Sequence, residues 1–82
     1  MLNTLFESVK SILNDGYITI PLDIQPSTRL IEDIGLDSLD QVEFVMELEK
    51  EFDLSISEIQ AEQCKTVEDA CNLIELLQHQ AL

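Results

Sequence analysis

Positive charge is scarce in this sequence. Four Lys and Arg residues stand against seventeen Asp and Glu, giving a formal net charge of -13 and a pI near 4.1. A phosphate backbone or an anionic membrane must be neutralised by Lys and Arg, so nucleic acid and membrane surfaces are poor partners for such a chain. Basic protein surfaces are good ones. The two cysteines, Cys64 and Cys71, are too few and too oddly spaced for a disulfide framework or a zinc site, and free thiols are expected, without a role the spacing can name. Histidine occurs once, as His79 near a helix end, and no Asp-x-Asp-x-Asp-Gly loop is present, so no specific metal site is expected. No run approaches the roughly 18 apolar residues of a membrane span. Glu7 interrupts the N-terminal apolar residues and no basic leader precedes them, so a signal peptide is not expected either. The expected setting is cytoplasmic.

What is present suits one small all-α domain over residues 1–82. Hydrophobic residues make up 45 % of the chain, and folding at this size buries roughly 60 to 65 % of the unfolded surface, a thin core whose stability a bound ligand would shift. Leu2, Leu5, Phe6, Val9, Ile12 and Leu13 recur at helical spacing until Asp15-Gly16 stops them. Residues 17–35 carry Pro21 and Pro26 and read as a long loop. It is expected to pack through Ile18, Ile20, Leu22, Ile24, Leu30, Ile31 and Ile34, with an extra helical turn at 28–32. A second helix starts at Ser38 or Leu39 and runs to about Phe52, capped by Asp37, or by Ser38 with Gln41 completing a capping box. Ser57 and Gln60 open a short third helix with Ile56 and Ile59 inward. Thr66 and Asp69 open a fourth, whose stripe is Val67, Ala70, Cys71, Ile74 and Leu77, broadened by Leu73 and Leu76. Cys71 on that stripe reads as a plain buried thiol, and residues 78–82 are expected to fray. The architecture is a bundle of three main helices and one short one.

The second helix carries two apolar stripes instead of one. Phe44, Val45, Leu48 and Phe52 form the larger, which faces the core. Leu39, Val42 and Met46 form another, rimmed by Asp40, Glu43, Glu47 and Glu49. Read by periodicity alone, it fits a contact with the long loop as well as it fits an exposed docking strip with a charged rim. Nine of the seventeen acids lie in residues 32–53 with only Lys50 for company, which favours a basic partner.

Ser38 stands at the head of this helix between Asp37 and Asp40, with no base to take its proton. A nucleophilic serine needs such a base and oxyanion donors, so Ser38 is not expected to catalyse and the chain is not expected to be an enzyme. A helix N-terminus does favour a phosphate there, whereas a serine at this position taken alone is more often an unmodified cap.

The stretch 32–52, with Glu-Asp-Ile-Gly-Leu-Asp-Ser-Leu-Asp, then Val-Glu, then Glu-Lys-Glu-Phe, resembles an acyl carrier protein, and the likeness continues through Thr66-Val67-Glu68-Asp69-Ala70. The resemblance implies 4'-phosphopantetheine on Ser38, installed from coenzyme A by a phosphopantetheinyl transferase that uses magnesium. It implies acyl chains carried as thioesters to the enzymes of dissociated (type II) fatty acid synthesis. A medium-length chain is then expected to enter between the second and third helices. Asp37, Asp40, Glu43 and Glu49 match acids that meet basic partner surfaces, Leu39, Val42 and Met46 match apolar contacts among them, and Glu47 on the same rim is expected to bind partners with them. A monomer is expected. Lys50 where many relatives have an acid, Ser57 in place of a frequent proline, a third helix with only Glu58 and Glu62 as acids, and the two cysteines all depart from the pattern. They leave open a specialised polyketide or aminoacyl carrier; an unmodified acidic protein-binding module is the other alternative.

Overall fold

The computed structural model describes residues 2–18 and 23–80, the side chains of residues 2, 3 and 80 excepted. Four α-helices follow in order: α1 (Leu2–Gly16), α2 (Ser38–Phe52), α3 (Glu58–Gln63) and α4 (Val67–Gln80), with a single wide π-type turn at Leu30–Ile34 before α2. No strand occurs among the described residues beyond an isolated antiparallel bridge between Arg29 and Thr66.

Periodicity places the core where it was expected. Leu5, Val9 and Leu13 line one side of α1, and Val67, Ala70, Cys71 and Ile74 line α4, all buried. Phe44 and Leu48 from α2 complete the set, each 2 % exposed. α1 packs chiefly on α4 and then on α2. Tyr17, just past α1, meets Phe44 edge to face at 6.2 Å and 83°, the geometry the ring quadrupoles favour. Leu36, absent from the expected core, is buried beside these residues. Among those predicted inward, Val45, Leu73 and Leu77 are half-buried.

The long loop is ordered at its second half by what α4 needs. A helix start leaves backbone N-H groups unpaired, and here the carbonyls of Thr28 and Pro26 accept from Val67 N (3.0 Å) and Glu68 N (2.8 Å). Pro26 sits in a turn closed by Thr28 N donating to Gln25 O at 3.0 Å, while Gln25 N donates to the buried Thr28 hydroxyl at 2.7 Å. Thr66 and Asp69 supply the rest of the cap: Asp69 N donates to Thr66 Oγ1 (3.1 Å) and Thr66 N to Asp69 Oδ2 (3.1 Å). Ile24 and Leu30 anchor this segment in the core, with Ile18 and Ile34 packed against it; Ile20 and Leu22 lie outside the described residues.

Four sequence expectations need correction. The extra turn lies at 30–34, not 28–32, and is of π type, with Ile34 N donating to Arg29 O at 3.1 Å. Its wider winding puts Leu30 and Ile34 inward and leaves Ile31 at the surface, 49 % exposed, instead of packed. Ile59 is 69 % exposed because α3 presents Glu58, Ala61 and Glu62 to the groove it shares with α2, a face about 100° away from residue 59. Leu76 is likewise exposed, about 200° around α4 from the buried Ile74.

Candidate functional site

Where the chain enters α2, Gly35 takes the left-handed conformation (φ 90°) that ends the π-type turn, and a side chain there would be strained. Arg29 and Asp33 clamp that turn: Nη2 donates to Oδ1 at 3.0 Å, and Nε and the Arg29 backbone N donate to Oδ2. These bonds hold the Asp33 carboxyl below the usual carboxylate range.

Asp37 is then the N-cap. Its Oδ1 accepts from Asp40 N at 2.8 Å and, reciprocally, Asp40 Oδ2 accepts from Asp37 N at 3.3 Å. Of the two caps the sequence allowed, the chain uses the aspartate, and Ser38 becomes the first helical residue. Its exposed hydroxyl makes no hydrogen bond among the described residues. The backbone N-H groups of Ser38 and Leu39 are first-turn donors with no intrahelical partner. They lie, with the positive end of the helix dipole, beside the Ser38 hydroxyl. Asp37 thus performs the capping task expected of it, and Asp40 completes the box, a local structural task that sequence reading did not give it. Gln41, which the sequence also paired with Ser38, instead lines a neighbouring groove.

That groove separates α2 from α3. It is open, with a volume of about 370 Å³; Ser38 stands at its rim, and Val42, Val45 and Met46 face Ile56 and Ala61 across it. Val45, assigned to the core by its spacing, forms part of the groove wall, and Ala61 was not anticipated there at all. The smallness of Ala61 opposite Val45 is the one local signal that a gap exists.

The second apolar stripe of α2 is solvent-facing: Leu39, Val42 and Met46 are 65 %, 56 % and 59 % exposed. Glu43 and Glu47 are exposed and Asp40 half-exposed beside it. They also face Tyr17, whose phenol is pushed above its ordinary value first by burial and then by Glu47, Glu43 and Asp40. Glu49 differs from the other rim acids. It is half-buried and its Oε2 accepts from Ile56 N at 2.8 Å, tying α2 to the segment before α3.

Among the described residues no group of three or more His, Cys, Asp or Glu is placed to hold a metal ion, and no helix is long and apolar enough to cross a membrane. Cys64 is half-buried and Cys71 buried, both as free thiols.

Residues 4–74 match the family described as phosphopantetheine attachment site. An acyl carrier protein of a Sulfurovum species is 42 % identical over 71 residues, covering 87 % of this chain and 95 % of that one. One from Helicobacter hepaticus is 43 % identical over 70 residues, covering 85 % and 92 %. The chain belongs to the acyl carrier protein family. A solved acyl carrier protein from Mycobacterium tuberculosis has the same fold, with a TM-score of 0.78 at 30 % identity over 88 % of this chain and 96 % of that one. The prosthetic group of this carrier is therefore phosphopantetheine. An exposed, unengaged hydroxyl beside two unpaired N-H donors, at the rim of a partly apolar groove, is chemically suited to it.

Proposed function

We propose that Ser38 carries the 4'-phosphopantetheine and that the loaded protein presents acyl chains to the separate enzymes of a type II fatty acid synthesis system. The observation that carries this reading is the Asp37–Asp40 capping box, which caps the helix without using the Ser38 hydroxyl and leaves it available at the groove. When bound, the group supplies a terminal thiol on which acyl chains are held as thioesters. The chain's own residues recognise partners and shelter cargo; none of them is asked to catalyse.

Leu39, Val42 and Met46 are the apolar contacts offered to partners, next to Ser38 on the same helix. Asp40, Glu43 and Glu47 steer basic partner surfaces toward them, beginning with the transferase that loads Ser38 from coenzyme A. The second carboxylate oxygen of Asp37 remains for the same purpose. Glu49 contributes chiefly by holding the loop that borders the groove. The walls of the groove, Val42, Val45, Met46, Ile56 and Ala61, shelter the acyl chain from water. We place this activity in a single domain working as a cytoplasmic monomer.

The test reconstitutes chain elongation from separate fatty acid synthesis enzymes with the loaded protein as the sole carrier and follows its intact mass. Stepwise two-carbon extension is expected. Loading without extension by these enzymes, together with acceptance of aminoacyl or polyketide units, would assign the chain to a specialised pathway instead.

A further inference from the structure

The groove between α2 and α3 does not end at its floor. Gln41, Val45, Ile56 and Ala61, which line it, also line a smaller, partly open space of about 20 Å³ deeper in the bundle, room for roughly one water. Beyond them that space is bounded by Leu30 of the π-type turn, Phe44 and Leu48 of α2, Ala70 and Leu73 of α4, and Cys64. Apart from the Gln41 amide and the thiol, the lining is apolar, a poor home for water and a good one for hydrocarbon.

The walls differ in how firmly they are held. Phe44, Leu48, Leu30 and Ala70 are buried members of the core and cannot retreat without opening it. α3 has no buried residue at all, and its cap bonds, Ser57 with Gln60 and Cys64 N to Ala61 O, are made within the helix itself and do not fasten it to the bundle. An acyl chain entering from the groove enlarges the small inner space most cheaply by moving α3, and the side chain it meets at the far end of α3 is Cys64. The thiol donates to Gln60 O at 3.5 Å, so its weak polarity is satisfied locally. Burial pushes it up to about 11, so it stays neutral and behaves as a small polarizable hydrophobe.

Resting on the reading that the acyl chain is sheltered between α2 and α3, we infer that residue 64 is the end wall of the acyl site and that its size sets the longest chain the bundle encloses. The observation behind this is the continuity of groove and inner space through four shared residues, with Cys64, at the C-cap of the less firmly held wall, lining the inner space but not the groove. A small side chain here makes room for longer chains than a branched aliphatic one would.

The test loads the protein with saturated straight-chain acyl groups of increasing length, using acyl-coenzyme A donors and a broad transferase, and measures the melting temperature of each form against the bare-thiol form. In the wild type the melting temperature is expected to rise with chain length and then level off. In Cys64→Leu the levelling moves to shorter chains; in Cys64→Ala it moves to longer ones. Leu73→Ala opens the same space from α4, is also expected to move it to longer chains, and keeps the test decisive if Cys64→Leu does not fold. A purely structural role for Cys64 would shift every form equally and leave the levelling length where it was. An unchanged levelling length in the folded variants overturns this inference and leaves the sheltering reading intact. A wild-type melting temperature independent of chain length overturns the sheltering reading and this inference with it.

Discussion

Replacing Asp37 separates two tasks that its carboxylate performs at the start of α2. The 2.8 Å bond from Asp40 N to Asp37 Oδ1 satisfies one first-turn donor, and the return bond at 3.3 Å is longer and weaker. Loss of an N-cap side chain typically costs about 1 kcal/mol. Loss of a negative charge at the dipole's positive end costs roughly a further 0.3 to 1 kcal/mol at low salt. The second cost is partly offset here, because a chain at -13 repels itself and one negative charge fewer relieves that. Asp37→Ala should therefore lose about 1 to 2 kcal/mol, which for a domain of this size lowers the melting temperature by roughly 5 to 10 °C. Asp37→Asn keeps an equally good cap and should stay within about 3 °C of the wild type. Thermal unfolding of the unloaded protein by circular dichroism measures both. Equal melting temperatures for all three proteins would mean that the bond does not form; a loss in Asp37→Asn as large as in Asp37→Ala would mean that charge, not capping, is what matters. If the carboxylate also meets the transferase, Asp37→Asn lowers kcat/KM for loading while leaving the melting temperature alone.

Glu49→Ala leaves the half-buried Ile56 N-H without its 2.8 Å partner and should cost about 1 to 2 kcal/mol, whereas Glu49→Gln, which keeps an acceptor, should be close to neutral in urea unfolding. A Glu49→Ala variant as stable as wild type would reduce Glu49 to a docking charge. Burial raises both thiols from the ordinary 9.0 to about 11, so the folded state favours their neutral form. That contribution is complete below pH 9 and is lost as pH climbs through 11, with Tyr17 adding to the alkaline loss. A Cys64→Ala, Cys71→Ala double variant should show a flatter fall in melting temperature between these pH values; an identical slope would contradict the assignment. Glu43→Gln with Glu47→Gln should slow association with the transferase and reduce its salt dependence, measured by stopped flow. Salt-independent association of the wild type would leave the acidic rim a solubility device.

Much of this fold is written in side-chain pattern. The Ser57–Gln60 and Thr66–Asp69 boxes are visible three residues apart, and the stripes of α1 and α4 recur over enough turns to fix their inner faces. The two-faced pattern of α2 was legible too, since Leu39, Val42 and Met46 are all exposed. What stayed hidden has physical reasons. Backbone bonds from Val67 and Glu68 to Thr28 and Pro26 join residues about forty positions apart and leave no mark on side-chain identity. α3 is six residues long, under two turns, too short for periodicity to place Ile59. The Asp37–Asp40 and Ser38–Gln41 pairs both satisfy the capping pattern, and the choice falls to Asp37 where the chain leaves the buried Leu36. Ser38 stood out from its neighbours as a serine without a base, and only the resemblance pointed to its modification. The groove beside it could not be read, because its walls come from two helices whose separation no single sequence states.

The central claim is that Ser38 is the residue modified. Incubation with coenzyme A, magnesium and a broad phosphopantetheinyl transferase, followed by intact-mass analysis and fragmentation of the peptide spanning Ser38, tests it directly. The expected result is a gain of one phosphopantetheinyl group, located on Ser38 and absent from a folded Ser38→Ala variant. No gain in the wild type, or an equal gain in Ser38→Ala, would contradict the account.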